Sequence, residues 1–234
     1  MSSSIDINFD FRDDTPPGGD PDALSPTLRE YHRRLWSKPL PGGTLFDLTD
    51  SRPGVYLHHC SHLGDFHLTS DAAIPTFLRN TKVGPFLAEA AREELNAFLS
   101  LAYTMGGMIL FPGNRVGGAM TINGARGFHP LIRDRFDLTV ECIRRHYLGG
   151  ESPLAGVLER YREFFALFET FEGYIEFFLL QDLLREEGEE IEFFLPFHGF
   201  QSSPLPAYPD AYLEYKAAAT EFLRARNQRM ERAL

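Results

Sequence analysis

The spacing of hydrophobic and polar residues changes several times in the first third of the chain. Residues 5–12 alternate strictly between apolar and polar, which predicts a half-buried strand. Residues 13–24 are rich in Asp, Pro and Gly and predict an exposed loop. A helix over 26–36 is expected, because Ser25 is a good N-cap and a proline follows it. Short apolar runs between turn residues predict strands at 44–48, 55–60 and 65–68.

In the rest of the chain, apolar residues recur mostly at the longer spacing that is typical of helices. A helix is predicted over 85–103, and short apolar runs predict strands at 107–111 and 119–123. Three long helices are then predicted, at 130–147, 153–168 and 171–187. The last of these is apolar nearly all the way round, so we expect it to be the central buried helix. A strand at 191–197, a proline-rich connector at 202–209 and a terminal helix at 210–234 complete the pattern.

This order of elements predicts an α+β fold. Residues 1–234 are expected to form a single compact domain, with a small, mainly antiparallel sheet packed against a C-terminal half of long helices. The 21 phenylalanines require a large core. The first residues do not resemble a signal peptide, and no apolar run approaches the roughly 20 residues that span a bilayer. We therefore expect a cytoplasmic protein without a membrane partner, with Cys60 and Cys142 as free thiols.

Charge is distributed unevenly along the sequence. The net charge of −10 makes nucleic acid an unlikely partner. Residues 112–148, however, contain six arginines against three acidic residues and no lysine: Arg115, Arg126, Arg133, Arg135, Arg144 and Arg145. Residues 149–193 contain twelve acidic residues and three arginines. The arginine-dense stretch is therefore the predicted functional surface.

The approach to the predicted helix at 130–147 is typical of an anion site. A strand would enter a glycine-containing loop that opens onto a helix N-terminus, where unpaired N–H groups favour a phosphate or carboxylate. The predicted ligand-binding residues are Asn114, Arg115, Asn123, Gly124, Arg126 and Gly127. The expected ligand is a phosphorylated small molecule or a nucleotide. The alternative interpretation is an ordinary tight turn between a strand and a helix.

A helical wheel over 130–147 places two polar residues, Arg135 and His146, on the apolar side. Asp182 lies among apolar neighbours on the helix predicted at 171–187. We expect it to pair with Arg135 as a structural buried salt bridge. The wheel places Asp137 and Glu141 toward water. These two carboxylates are the candidate catalytic residues for a transferase or hydrolase reaction.

Histidines and a cysteine cluster between residues 58 and 67. They are His58, His59, Cys60, His62 and His67. Alternate members would share one face of a strand, as metal ligands could. The tightly paired spacing of common zinc motifs is absent, so a half-exposed strand edge is the preferred interpretation. We predict no metal and no cofactor.

Three segments resemble a bacterial family catalogued only as a domain of unknown function. They are YHRRLWSKPLPGG at 31–43, TINGARGFHPLIRDRFDLTVECIRRHY at 121–147 and FEGYIEFFLLQDLL at 171–184. The resemblance implies one bacterial cytosolic domain and carries no reaction, cofactor or catalytic residue. The rival to a ligand-binding protein is a non-catalytic interaction protein, such as a defence or toxin–antitoxin component, whose arginine face binds an acidic protein partner.

Overall fold

The sheet is small and antiparallel. The computed structural model describes residues 5–49, 54–78, 80–87, 92–185 and 190–234. Three strands in this part of the chain pair in the order β1–β2–β3: β1 (Leu57–Ser61), β2 (Gly64–Ala72) and β3 (Met108–Pro112). Both pairings are antiparallel, with His58 opposite His67 and Ser70 opposite Leu110. The predicted α+β class is confirmed.

Helices make up nearly half of the described chain. They are α1 (Pro21–Leu24), α2 (Pro26–Trp36), α3 (Gly84–Leu87), α4 (Arg92–Ala102), α5 (Ile122–Phe128), α6 (Phe136–Tyr147), α7 (Ala155–Arg160), α8 (Arg162–Ala166), α9 (Phe171–Phe177) and α10 (Pro209–Ala233). Short 3-10 helices span Met105–Gly107, Val116–Gly118 and Gln181–Leu183. Within the described ranges, no helix combines the length and the apolar character that a membrane span needs.

The strand β2 has one apolar and one polar face. Phe66 and Leu68 on one face are buried, whereas His67, Thr69 and Asp71 on the other face are partly exposed. This alternation follows from the two-residue period of a strand. The polar face of β2 contributes to both sites described below.

The core is one continuous apolar cluster that extends from Ile7 to Met230. Its centre is aromatic: Trp36 and Phe168 both pack against Phe178, with ring centroids 5.3 and 5.2 Å away. The terminal helix α10 is fixed to this core by the fully buried Arg226, which donates to the carbonyls of Gly106, Met108 and Phe178. Burial lowers the pKa of Arg226 to about 9.

Four predicted strands are wrong, and one of them, 119–123, lies at the candidate site described below. Residues 5–12 form turns: the Phe11 N–H donates to the carbonyl of Tyr103, and the Asn8 N–H donates to the Asp6 carboxylate. A distant carbonyl and a local side chain thus replace the neighbouring strand that the alternating pattern would need. Residues 44–48 and 191–197 contribute only isolated bridges, Pro39 with Leu45 and Leu184 with Ile191.

The predicted long helices are shorter than expected. Arg133 and Asp134 have positive φ angles, so α6 begins only at Phe136. After α9, Leu179 has a φ of 53°, which does not allow the helix to continue. The segment 153–168 divides into α7 and α8 at Tyr161, and α9 ends at Phe177. Residues 186–189 of the predicted third helix lie outside the described residues, as do residues 88–91 of the helix predicted over 85–103. The predicted loop 13–24 contains α1, and the terminal helix α10 is confirmed.

Both cysteines are free, as expected. Cys60 is exposed on β1 and Cys142 is buried in α6. Burial raises the pKa of the Cys142 thiol to about 12, so it is a structural, unreactive group.

Candidate functional site

The predicted strand 119–123 and the loop after it are wrong, because both lie where α5 forms. Thr121 is the N-cap of this helix, and its hydroxyl accepts from the Gly124 N–H at 3.3 Å. A Cβ at Gly124 would lie 2.7 Å from Cγ of Met120, and one at Gly127 would lie 3.2 Å from the Asp134 carboxylate. The two glycines therefore permit close packing and form no anion-binding loop.

Arg126 is fully buried, which corrects its predicted position in an exposed loop. Its guanidinium pairs with the Asp71 carboxylate and donates to Thr139 Oγ1 and to the Asp134 carbonyl, both at 3.0 Å. The ring of Phe111 lies 5.5 Å away on one side. Because these groups occupy its donors, Arg126 is a structural residue that connects α5 to β2 and α6.

Asn114 and Arg115 follow β3, but the hairpin that would bring them to the Asn123 region does not form. Arg115 is exposed and precedes a 3-10 helix. The carbonyl of Asn114 accepts a hydrogen bond from the Tyr161 hydroxyl at 2.8 Å. The residues predicted to bind one anion are therefore divided between a helix and a turn.

The buried partner of Arg135 is Asp137, which corrects the predicted pairing with Asp182. Arg135 and Asp137 have 2% and 0% of their side chains exposed and form a bidentate pair, and Asp137 also accepts from the Phe194 N–H at 2.9 Å. Asp182 instead pairs with Arg229 of α10 at 2.8 Å. The wheel failed because it assumed a helix from residue 130, whereas Arg135 is the N-cap of α6.

Glu141 and His146, the other two candidate residues of α6, also make contacts that stabilise the fold. Glu141, expected to face water, is 3% exposed and pairs with Arg144 at 2.8 Å and Arg145 at 2.7 Å. His146 is half-buried, with its ring edge-on to Phe165 at 5.3 Å. Of the six arginines in 112–148, two are buried and two share Glu141. They do not form one continuous positive face.

A cavity of about 630 Å³ lies between the N-terminal helices, β2 and α5. It is lined by Asp20, Asp22, Ala23, Arg29, Gly54, Val55, Tyr56, Thr69, Ser70, Asp71 and Asn123. Of the predicted ligand-binding residues, only Asn123 is among them. Thr69 and Asp71 come from the polar face of β2. Arg126 does not line the cavity, but its guanidinium pairs with the Asp71 carboxylate.

Among the residues that the structure describes, three polar atoms at this cavity are buried without a hydrogen-bond partner: Asp22 Oδ1, Tyr56 Oη and Asn123 Oδ1. The amide nitrogen of Asn123 donates to Thr69 Oγ1 at 3.1 Å and to the Ser70 carbonyl at 3.2 Å. Its oxygen is thereby left for another donor. A buried polar atom without a partner costs about 1–3 kcal/mol, so three at one cavity indicate a site that a ligand would complete.

Two carboxyl groups at the cavity have strongly shifted pKa values. Burial, the Asp71 carboxylate and Asp20 raise the pKa of Asp22 to about 8. Burial raises the pKa of Asp71 to about 6, although the Arg126 guanidinium opposes this shift. Asp22 therefore holds a proton at neutral pH, whereas Asp71 is mostly ionised. Burial also raises the pKa of Tyr56 far above its usual range, so its hydroxyl stays a donor.

Ser70 and His32 resemble a nucleophile and its base, but their hydrogen bonds exclude that role. The Trp36 indole N–H donates to His32 Nδ1 at 3.0 Å, so the neutral ring carries its proton on Nε2 and donates to Ser70 Oγ at 3.0 Å. Burial, together with Arg226, lowers the pKa of His32 to about 3. His32 therefore cannot accept a proton from Ser70, and the chain of hydrogen bonds positions the serine.

A second cavity, of about 590 Å³, borders α6 near Glu141. Its polar lining is largely composed of ion pairs, Glu141 with two arginines and Arg185 with Glu190 and Glu192. None of its described lining residues has an unpartnered buried polar atom. The cavity at Asp22 is therefore the stronger candidate.

The signals for this site were present but divided along the sequence. Asp20-Pro21 is a good helix start, and it places Asp22 in the first turn of α1. The sequence pattern of this segment nevertheless predicted an exposed loop. Asp71 lies beyond the predicted end of β2, so its position beside Arg126 could not be inferred from local patterns.

Comparison with protein families identifies the family of this chain. No curated protein matches the chain, and no solved structure does. Residues 5–230 match the model described as "Family of unknown function (DUF6994)". This match covers nearly the whole chain and confirms the resemblance to a family of unknown function. The protein belongs to that family.

Proposed function

We propose that this protein binds a small, uncharged, polyhydroxylated molecule, of the class that includes sugars and nucleosides, in the cavity at Asp22. The observation that carries the proposal is the set of three buried, unpartnered polar atoms on Asp22, Tyr56 and Asn123 at one cavity. Hydroxyl groups both donate and accept hydrogen bonds, so they match this mixture of amide oxygen, protonated carboxyl and phenol.

The charges at the cavity favour a neutral ligand. With Asp22 protonated, the carboxylates of Asp20 and Asp71 are balanced by Arg29 and the buried Arg126. Arg29 already donates to the carbonyls of Tyr56 at 2.6 Å and Val55 at 3.2 Å. A phosphate would therefore meet nearby carboxylates with few available donors. This geometry supports the phosphorylated ligand or nucleotide expected from the sequence less well than a neutral one.

The same carboxyl groups support acid–base chemistry on a bound molecule. Asp22 holds a proton that it can donate at neutral pH, and Asp71 is ionised and can accept one. These residues replace Asp137 and Glu141 as our candidates for a hydrolase or transferase reaction, because both of the latter are buried in ion pairs.

We expect the Asn123→Ala variant to bind such a ligand at least about tenfold more weakly, since it loses a buried hydrogen bond. The measurement is calorimetric titration with nucleosides and monosaccharides, each paired with its phosphorylated counterpart. Asn114→Ala is the matched control, because Asn114 also has a buried, unpartnered amide oxygen but does not line the cavity. Tighter binding of the phosphorylated member of each pair, or equal losses in the two variants, would contradict the proposal.

Asp22→Asn should change the dependence of stability on pH. In the native protein Asp22 keeps its proton up to about pH 8, whereas the unfolded chain releases it near 3.8. Asp22 therefore makes the wild-type protein lose stability as pH rises through this window, and the variant lacks this contribution. We expect Asn to be more stabilising at pH 8 than at pH 5, by on the order of 2 kcal/mol.

Urea unfolding at the two pH values tests this expectation. Asp13→Asn is the control, because Asp13 is exposed and does not line the cavity. If Asp22→Asn and Asp13→Asn show the same small pH dependence, Asp22 is not held protonated by the cavity.

A further inference from the structure

We propose that the polar face of the β1–β2 hairpin binds a divalent transition-metal ion, with Zn²⁺ preferred, through His58, Asp65 and His67. One ligand atom from each of these side chains lies within 4.8 Å of the other two. Imidazole nitrogen and carboxylate oxygen are ordinary ligands of Zn²⁺. This revises the expectation of no metal, which rested on spacing along the sequence alone.

The pairing of the two strands brings the ligands together. His58 lies directly opposite His67, and Asp65 precedes His67 by two residues, so all three share one face. The rings of His58 and His67 are 5.8 Å apart, and His58 Nε2 contacts the Asp65 carboxylate. The histidine cluster in the sequence already includes His58 and His67, and the pairing of the two strands adds Asp65 to them.

The backbone of this site is already fixed. The His58 N–H donates to the carbonyl of Thr49 at 2.8 Å, and the His58 carbonyl accepts from Thr49 at 2.9 Å. The Gly113 N–H donates to the His67 carbonyl at 2.6 Å. A tetrahedral ion with bonds of about 2.1 Å separates its ligand atoms by roughly 3.4 Å. Because the ligand atoms already lie within 4.8 Å of one another, we expect rotation of the side chains to bring them to this separation.

The other members of the histidine cluster do not join the triad. His59 is 2% exposed and points into the core, with Nδ1 at 3.1 Å from the Asp47 carbonyl. His62 lies in the hairpin turn. Cys60 lies opposite Asp65 on the exposed face, but it is outside the group of three. Three protein ligands leave a coordination position for water or another small molecule, as in open zinc sites.

Metal binding here is independent of the proposed ligand cavity. The two sites share β2, but none of the three metal ligands lines the cavity. Failure of one proposal therefore leaves the other unaffected.

The test is a titration of the full chain, freed of metal by chelator and dialysis, with Zn²⁺ by calorimetry and with Co²⁺ by visible absorption. We expect one equivalent to bind and the cobalt form to show the intense bands of tetrahedral coordination. His58→Ala and His67→Ala should each weaken Zn²⁺ binding by more than about tenfold, since even indirect support of a metal ligand is worth that much. His62→Ala is the matched control and should bind like the wild type.

Three results would overturn the assignment. They are the absence of stoichiometric Zn²⁺ binding, wild-type affinity in the His58→Ala/His67→Ala double variant, and loss of the cobalt bands in Cys60→Ser. Persistence of those bands in Cys60→Ser supports the triad by excluding Cys60 as a ligand. Thermal unfolding of each metal-free variant verifies that it is folded, so loss of binding can be assigned to the ligands.

Discussion

Replacing Arg135 by methionine is expected to lower the free energy of unfolding by about 3–5 kcal/mol, because it leaves a buried carboxylate without its counter-ion. Arg135 and Asp137 are 2% and 0% exposed, and the arginine also donates to the Pro204 carbonyl. Asp137→Leu should be destabilising to a similar extent, since it leaves Arg135 unpaired and removes the acceptor of the Phe194 N–H. Urea unfolding measures both losses.

A double-mutant cycle identifies the partner of Arg135. Arg135→Met combined with Asp137→Leu should cost clearly less than the sum of the single changes, although the unpaired Phe194 N–H keeps it about 1–3 kcal/mol below the wild type. Arg135→Met combined with Asp182→Leu should instead be additive, because Asp182 pairs with Arg229. Coupling between Arg135 and Asp182, with additivity between Arg135 and Asp137, would contradict the observed pairing.

The fold class could be predicted because hydrophobic periodicity reports burial directly. The helix α2 begins after Ser25, whose hydroxyl accepts from the Leu28 N–H at 3.0 Å, and the terminal helix α10 begins at Pro209 as its proline suggests. The central strands were also predicted, with shifted ends. In each case the signal lies within a few residues of the element that it specifies.

The errors arise where a side-chain cap or a tertiary contact decides the outcome. Residues 5–12 have a strand pattern but no strand beside them, so their amides find turns and side chains. Thr121 and Ile122 favour a strand by residue type, yet the Thr121 hydroxyl caps α5. Side-chain capping and tertiary contacts outweigh propensities of a few tenths of a kcal/mol.

The candidate sites were harder to predict than the fold. Asp22 and Asp71 are 49 residues apart, and their shared cavity depends on how α1 packs against β2. The metal cluster depends on the register of β1 with β2, which places His58 opposite His67. The arginine-dense stretch pointed to α5 and α6, but there buried arginines stabilise the fold. Charge density along a sequence does not distinguish a binding surface from an internal ion pair.

Arg126→Met separates those two interpretations. An arginine in an exposed anion site could be replaced with little loss of stability, but Arg126 is buried and neutralises Asp71. We expect a loss of about 3 kcal/mol at neutral pH, measured by urea unfolding.

The loss should also depend on pH, because Arg126 lowers the pKa of Asp71 in the wild type. Without the arginine, the native state of the variant keeps the Asp71 proton to higher pH, while the unfolded chain still releases it near 3.8. The destabilisation should therefore be larger at pH 8 than at pH 5.

The addition of Asp71→Asn should recover part of the stability lost in Arg126→Met, because no uncompensated carboxylate then remains. Arg115→Met, at an exposed position in the same arginine-dense stretch, is the control and should change stability by less than about 0.5 kcal/mol. If Arg126→Met cost no more than this control at either pH, the ion pair with Asp71 would not hold α5 against β2, and the support behind the Asp22 cavity would have to come from elsewhere.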